Sequence, residues 1–417
     1  MSSDAAAPQG TPQRKPRRTL RQATLQSLQK LGRSLQLPVA ALPAAGLILR
    51  LGQPDVLGEE GLGWDRLAAV FSGAGGGIID NIAILFCVGV AIGFARRADG
   101  STAFAAVVAY LVFTSTLESA FTSDVTGEPV NPGVLGGVVL GIITAKVWER
   151  YHRTRLPDWL GFFSGRRFIP VLMSFIALVL AVVFGYGWAP IGNGLDSAAE
   201  GLSGLGAWGS GIFGVLNRLL IPFGMHMLIN TFAWYQFGSY TDEDGEEVNG
   251  DFFRFLAGDP EAGMFMTGFY PIMMFALPAA CLAIAHCARP ERRKAVTGMM
   301  VSLALTSFVT GVTEPIEFSF VYLAPVLYGI HALLTGVSMA LTWALGIREG
   351  FTFSAGLFDY VLNYGQATKP WLIIPIGLGF AVVYYVLFRL VITKFDLKTP
   401  GRESDEEIAA MEAENLK

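Results

Sequence analysis

The sequence has few charged side chains for its length. Of its 417 residues, 15% are Asp, Glu, Lys or Arg, whereas ordinary soluble domains have roughly 25%. Hydrophobic residues make up 52%, and the mean hydropathy is +0.48. A single water-soluble core cannot hide that much apolar surface, so the composition favours a membrane protein. The formal net charge of −4 says little about partners, and no nucleic acid is expected among them.

Several kinds of functional motif are also missing. The three cysteines, Cys87, Cys281 and Cys287, lie in apolar stretches, and an odd number without metal-type spacing argues against a disulfide framework or a zinc site. No Gly-rich phosphate loop ending in Lys-Ser or Lys-Thr occurs, which excludes an ATP-driven pump. We therefore expect no metal and no cofactor. The amino terminus lacks the apolar core of a cleaved secretory signal.

Apolar residues occur in runs long enough to cross a bilayer, which takes about 20 helical residues. Barrel strands would instead alternate in short runs. The sequence therefore predicts an all-α fold, a polytopic integral membrane protein with about ten transmembrane helices and half-length segments among them. The clearest runs are 168–190, 263–288, 316–346 and 371–392, and weaker ones are 35–51, 78–95, 102–117, 134–148, 204–237 and 296–313.

Basic residues predict the orientation, because Lys and Arg collect in the cytoplasmic loops of inner-membrane proteins. The loops at 59–60 and 118–128 are acidic and almost free of Lys and Arg. We therefore expect both termini to be cytoplasmic. The basic clusters lie at 14–33, 96–97, 146–167, 289–294 and 394–398.

Composition divides the chain into three parts. Residues 1–24 are Pro-rich, polar and basic, which predicts a disordered cytoplasmic tail. Residues 25–398 are predicted to form the membrane-embedded domain, starting with an amphipathic helix at the interface. Residues 399–417 are predicted to be an acidic cytoplasmic tail.

A first group of polar side chains lies within an apolar run, where burial in a bilayer would be energetically unfavourable. It comprises Arg218, His226 and Asn230. Polar groups inside a bilayer are expensive unless they are paired or face water, so they are functional candidates. Pro222 and Gly224 would break the helix between them, and broken backbone at membrane depth is tolerated where it lines a polar cavity. This apolar run is too long for one span, and it could hold two spans or one span and a re-entrant hairpin.

A second group lies at residues 310–318, where Glu314 and Glu317 stand beside Gly311 and Pro315. The two carboxylates would share one helical face. The residue before a proline is pushed away from helical geometry, so Glu314 is expected at a kink or at the tip of a hairpin. A carboxylate buried in this way can accept hydrogen bonds from hydroxyl groups, and it can also take a proton from one of them.

A structural alternative exists for every one of these residues, namely a satisfied contact between helices. We regard Glu314 and His226 as the functional candidates, whereas Arg218 and Glu317 fit the structural alternative better.

Weaker candidates lie elsewhere in the chain. Asp80 and Asn81, early in the second span, could face the same cavity, but a structural role is equally expected. His152 lies in a basic loop, and His286 and His331 lie at span ends, so these three histidines are expected to be interfacial.

The run Ala304–His331, which contains Thr-Glu-Pro-Ile-Glu at 313–317, resembles a signature of the membrane domain, enzyme IIC (EIIC), of the sugar phosphotransferase system (PTS). The resemblance is to its glucose and N-acetylglucosamine branch and covers Leu31–Lys394. Three segments are more similar to the N-acetylglucosamine branch than to the glucose branch: 257–263, 269–275 and 358–365.

This resemblance implies a homodimer in which each protomer binds its sugar between two re-entrant hairpins, near 218–230 and 310–318. An elevator-like movement would carry the sugar across the membrane. Glu314 and His226 would contact the sugar, with Glu314 near the C6 hydroxyl that becomes phosphorylated. The predicted site residues are Glu314 and His226 as catalytic groups and, for sugar binding, also Thr313, Asn81, Asp80, Arg218 and Asn230.

In such systems a cysteine of a soluble EIIB domain carries the phosphoryl group, supplied by EIIA, HPr and enzyme I. None of the cysteines here has a soluble, electropositive setting, and the sequence ends at Lys417. We therefore expect a phospho-EIIB on a separate chain, and no EIIA or EIIB domain in this one. The predicted function is uptake of N-acetylglucosamine with phosphorylation at C6, with glucose as the alternative substrate.

Two other functions remain open from the residues alone. An ion-coupled secondary sugar transporter would use Glu314 or Asp80 to carry a proton. The other is a membrane enzyme or sensor that binds sugar without transporting it. The sequence shows no group of metal ligands and no nucleophile with a neighbouring base to support that function.

Overall fold

The computed structural model describes residues 30–31, 34–35, 37–38, 40–122, 129–241, 245 and 247–402. These residues are mostly helical, so the predicted helical class is confirmed. One two-stranded antiparallel sheet accompanies the helices. The predicted tail at 1–24, most of the predicted interfacial helix after it, and residues 403–417 of the acidic tail lie outside the described residues.

Helices follow one another along the described chain, joined mostly by short turns. A π-helical turn, Pro271–Ala276, leads into the tenth of them. The helices are α1 (Leu42–Leu51), α2 (Asp65–Ile79), α3 (Ile82–Phe94), α4 (Gly100–Ala120), α5 (Gly133–Tyr151), α6 (Phe168–Gly204), α7 (Ala207–Leu220), α8 (His226–Tyr235), α9 (Gly250–Leu256), α10 (Leu277–Cys287), α11 (Pro290–Thr310), α12 (Glu314–Val321), α13 (Pro325–Ala344), α14 (Leu357–Asn363) and α15 (Ile373–Lys394), and the strands are β1 (Ser239–Thr241) and β2 (Glu247–Asn249).

Four helical stretches of the described residues are long and apolar enough to cross a bilayer: Gly100–Ala120, Gly165–Gly204, Pro325–Ala344 and Pro370–Lys394. The pair α2 and α3, bent by 47°, would be a fifth. The predicted number, about ten, is therefore not confirmed, and neither are the two re-entrant hairpins. The difference arises because other predicted runs form helices that are too short, too polar or interrupted.

Proline explains one of these interruptions, and turns shorten another run. The run 316–346 forms two helices, α12 and α13, because Pro325 has no N–H to continue the first and is well suited to begin the second. The run 263–288 starts with turns, and its helical part begins at Phe269, just before Pro271.

Helices α7 and α13 pack closely through glycines. A Cβ on Gly336 would lie 2.7 Å from the carbonyl oxygen of Gly211, and one on Gly214 would lie 2.7 Å from the sulfur of Met339. Small residues let membrane helices approach in this way. The packing brings the end of α7 to the start of α13, where the Tyr328 hydroxyl donates to the carbonyl of Arg218.

The chain after α15 returns to the junction between α10 and α11. The carbonyl of Gly401 accepts a hydrogen bond from the Arg289 N–H at 3.1 Å, and Arg402 donates to the carbonyl of Cys287 at 3.0 Å. Residues 399–402, assigned from the sequence to the acidic tail, are therefore packed against the helical domain.

Candidate functional site

The helix break predicted at Pro222 and Gly224 is present. Helix α7 ends at Leu220, a 3-10 turn follows, and Gly224 has left-handed backbone geometry with φ 69°. Glycine adopts this geometry without the steric cost of a Cβ. The next helix begins at His226, so the imidazole stands beside the break.

A second break precedes Glu314. Helix α11 ends at Thr310, Gly311 has φ 73°, and α12 begins at Glu314 with Pro315 in its first turn. The carbonyl of Gly311 accepts a hydrogen bond from the Ser354 hydroxyl at 2.9 Å. The break is therefore fixed by contact with the segment before α14, and Glu314 lies at its end.

We expect Gly311→Ala to destabilise the protein, whereas Gly298→Ala, inside the helix that ends just before Gly311, is the matched control. A Cβ at Gly311 would lie 2.6 Å from Oγ of Ser354, and one at Gly298 would meet nothing within 4 Å. Left-handed backbone costs a residue with a side chain about 1–2 kcal/mol, while alanine inside a helix gains roughly 0.5–1 kcal/mol over glycine. Thermal unfolding of the two variants in detergent compares them, and equal midpoints would contradict the assigned strain.

The structure brings the two predicted catalytic residues, His226 and Glu314, together. Nε2 of His226 lies 4.0 Å from Oε1 of Glu314, and the exposed fractions of the two side chains are 12% and 38%. That separation is too long for a direct hydrogen bond. Nδ1 of His226 is buried and has no hydrogen-bond partner in the part of the chain that the structure describes. An imidazole and a carboxylate so placed can both form a hydrogen bond with one hydroxyl group that lies beside them.

A buried ion pair lies behind this pair. Nη1 of Arg218 donates to Oε1 of Glu317 at 2.5 Å and to the Thr313 hydroxyl at 3.3 Å, and its guanidinium lies 4.8 Å from the ring centre of Phe269. The side chains of Arg218 and Glu317 are 2% and 0% exposed. Arg218 therefore ties α12 to α7 and fixes the backbone immediately before Glu314.

The other predicted site residues divide into two groups. Asn230 is buried and accepts a hydrogen bond from Asn217 at 2.6 Å, which links α8 back to α7. Asp80 and Asn81 are exposed and lie at the bend between α2 and α3, where Asn81 donates to the carbonyl of Gly77. Within the described residues neither makes a hydrogen bond or ion pair with the other predicted site residues.

His331 differs from its prediction as an interfacial residue, because it is fully buried. Its Nε2 lies 3.4 Å from Oε1 of Glu317, and its Nδ1 lies 2.9 Å from the Tyr384 hydroxyl. If Tyr384 donates to Nδ1, the Nε2–H faces the carboxylate. His331 therefore links Glu317 to the last helix. The spacing of Tyr328 and His331, which places both on one face of α13, was the available signal in the sequence.

Metal-binding groups are not apparent in the described part of the chain, where no three His, Cys, Asp or Glu side chains are placed to hold an ion. The three cysteines are buried and free. The chemistry that this site offers is thus that of one carboxylate, one imidazole and the buried groups that fix them.

Comparison with known proteins gives the family. The family described as "Phosphotransferase system, EIIC" matches residues 32–336. The chain is 60% identical over 392 residues to the PTS system N-acetylglucosamine-specific EIIC component of Streptomyces coelicolor, covering 92% of this chain and 94% of that protein. It is 47% identical to the N-acetylglucosamine-specific EIICBA component of Escherichia coli, covering 93% of this chain and 58% of that protein.

A solved structure has the same fold. It is the transporter ChbC, the IIC component from the N,N'-diacetylchitobiose-specific phosphotransferase system, with a TM-score of 0.53, 14% identity and coverage of 89% of this chain and 93% of that one. At that identity the likeness supports the fold alone. The family match over most of the chain, together with the close relative, carries the assignment: this chain is a membrane protein of the EIIC family, the membrane component of a sugar phosphotransferase system.

Proposed function

We propose that this chain binds N-acetylglucosamine and carries it across the membrane for phosphorylation at its C6 hydroxyl. The observation that carries the proposal is the meeting of His226 and Glu314 at two helix breaks, where Nε2 of the imidazole lies 4.0 Å from Oε1 of the carboxylate. The choice of sugar rests on the relatives named as N-acetylglucosamine-specific, at 60% and 47% identity. Relatives named as glucose-specific are 42% identical.

The chemistry assigned to the site is a phosphoryl transfer assisted by a base. The C6 oxygen attacks the phosphorus carried by a cysteine of phospho-EIIB, the O–P bond forms, and the S–P bond breaks to release the thiolate. Glu314 accepts the proton of the attacking hydroxyl, and His226 orients it. Arg218 and Glu317 hold the backbone at Thr313. The product is trapped because a charged sugar phosphate does not recross the bilayer.

The donor and its supply belong to the proposal. We assign the phosphocysteine to an EIIB protein that is loaded through enzyme I, HPr and EIIA. The homodimer, the re-entrant hairpins near 218–230 and 310–318, and the elevator-like movement follow from the same family resemblance. Helix α7 offers a surface for a second protomer, because Trp208, Ile212, Leu216 and Leu219 recur at helical spacing and are exposed.

The proposed orientation has both termini in the cytoplasm. Its support is that the predicted cytoplasmic clusters contact one another. Nζ of Lys30 lies 3.8 Å from Glu149, the backbone N–H of Arg96 donates to the same carboxylate at 2.8 Å, and Arg166 pairs with Asp99 at 2.6 Å. Groups from four sequence segments that share one side of the protein fit a single aqueous compartment.

We expect vesicles containing the protein to accumulate N-acetylglucosamine 6-phosphate from external labelled sugar when EIIB, EIIA, HPr, enzyme I and phosphoenolpyruvate are enclosed. Unlabelled glucose should compete about 10- to 200-fold more weakly than unlabelled N-acetylglucosamine, as a contact with one substituent gives discrimination of that order. Equal competition would assign the chain to glucose as well. Accumulation of free sugar driven by a proton gradient, without the phosphoryl donors, would instead support the secondary transporter.

A further inference from the structure

Glu349 is a buried carboxylic residue that the proposed sugar chemistry does not use. It lies between α13 and α14 and is 0% exposed. The backbone around it is held firmly: its N–H donates to the Thr267 hydroxyl at 2.9 Å, and the carbonyl of Gly350 accepts from the Tyr270 hydroxyl at 2.6 Å and from Asn363 at 3.1 Å. These bonds fix the backbone at Glu349 and Gly350.

Among the described residues, neither carboxylate oxygen of Glu349 has a hydrogen-bond partner, and the side-chain oxygen of Asn363 has none either. Asn363 is also 0% exposed, and its amide already donates beside Glu349. These oxygens are acceptors without a donor. An ionised carboxylate left so in an apolar interior is strongly unfavourable, and such a group takes up a proton instead.

Four titratable groups interact electrostatically with Glu349: Arg50 of α1, Tyr270, and Asp359 and Tyr360 of α14. Arg50, the cation among them, donates from both terminal nitrogens to Asp55 and from one of them also to the carbonyl of Leu362, so its charge is balanced by that of Asp55. Its Nε–H has no hydrogen-bond partner among the described residues.

The carboxylate of Asp359, unlike that of Glu349, is surrounded by hydrogen-bond donors. Its carboxylate accepts from the N–H and hydroxyl of Thr352, both at 2.6 Å, and from the N–H groups of Phe353 and Ser354 at 3.3 Å. Such donors stabilise the ionised form. When two carboxylates interact and only one is supplied with donors, the other holds the proton.

We propose that Glu349 is a proton-binding site, held as a neutral carboxylic acid whose O–H donates to the side-chain oxygen of Asn363. One proton from water gives this group of acceptors the donor that it lacks. The described residues group no three metal-ligating side chains here, which favours a proton over a metal cation. The bound proton makes the packing of the 347–352 segment against α14 sensitive to alkaline pH.

Infrared difference spectroscopy of the purified full chain, without sugar, tests this site. At neutral pH the wild type should show the C=O band of a protonated carboxyl group that shifts in deuterated water, and Glu349→Gln should lack it. Asp359→Asn is the matched control and should keep the band. Persistence of the band in Glu349→Gln, or its loss in Asp359→Asn alone, would overturn the assignment.

Thermal unfolding provides a second measurement. Glu349→Gln keeps the shape, the neutrality and a donor for Asn363, so it should fold and match the wild type at neutral pH, while Glu349→Ala should unfold at lower temperature. Raising the pH should lower the midpoint of the wild type more than that of Glu349→Gln. Failure of Glu349→Gln to fold, parallel pH profiles, or stabilisation of the wild type by Na⁺ at high pH would contradict the proposal. Failure of sugar phosphorylation would leave these results unchanged.

Discussion

Replacing Glu314 with glutamine is expected to lower phosphorylation of N-acetylglucosamine by roughly 10²- to 10⁴-fold, which is the usual contribution of a positioned general base. The amide has nearly the same shape but cannot take a proton. Glu314 lies outside the buried ion pair, and its side chain is 38% exposed. The variant should therefore still insert into the membrane and form the dimer. Phosphorylation by vesicles supplied with phospho-EIIB measures the loss.

The control for this change is Glu60→Gln, which alters an exposed glutamate in the loop between α1 and α2 and should leave phosphorylation unchanged. His226→Ala should share the phenotype of Glu314→Gln, because the two side chains are expected to bind the same hydroxyl. Normal phosphorylation by Glu314→Gln would remove that residue from its assigned role, whereas the family assignment would stand.

The second large effect is expected on stability. Glu317→Gln should lower the free energy of unfolding by about 3–5 kcal/mol, because removing one partner of a buried ion pair leaves the other charge uncompensated. Here the stranded group is the guanidinium of Arg218, which is 2% exposed. Thermal unfolding in detergent should reveal this loss, and the surviving folded protein should keep most of its affinity for sugar.

A double variant distinguishes a structural role of the ion pair from a role in sugar binding. Arg218→Leu with Glu317→Leu removes both charges, and apolar replacement of a buried pair is often neutral or stabilising. The double variant should therefore be more stable than Glu317→Gln alone. If Glu317→Gln were as stable as the wild type but had lost sugar affinity, Glu317 would be a ligand and not a structural partner.

The sequence predicts the local breaks well, because the chemistry that causes them is local. Pro222 and Gly224 interrupt the helix before His226, and Gly311 and Pro315 do so before Glu314. Left-handed geometry at a glycine and the lack of an N–H at a proline act within a few residues. The cost of burying them marked His226 and Glu314 as functional candidates, the family resemblance implied that both contact the sugar, and the structure has the two side chains 4.0 Å apart.

Residues whose environment depends on distant segments were predicted less well. His331 lies near the end of an apolar run, and its burial comes from Glu317 on α12 and Tyr384 on α15. The number of spans was likewise not fixed by hydropathy, which measures apolar content and does not detect where a helix stops. Asp80 and Asn81 carry the same polar signal as the site residues and are exposed at a bend, and their role in sugar binding stays a prediction.

Helix α6 sets a geometric requirement of its own. Its 37 residues correspond to about 55 Å at 1.5 Å per residue, whereas the hydrocarbon layer of a bilayer is roughly 30 Å thick. The helix must be strongly tilted from the bilayer normal, or its C-terminal part, with Asn193 and Glu200, must lie in the headgroup region. Shorter lipid acyl chains make the hydrocarbon layer thinner and would increase that tilt. Because α6 packs along α4 and leads directly into α7, we expect a change in bilayer thickness to shift α7, the helix that carries Arg218.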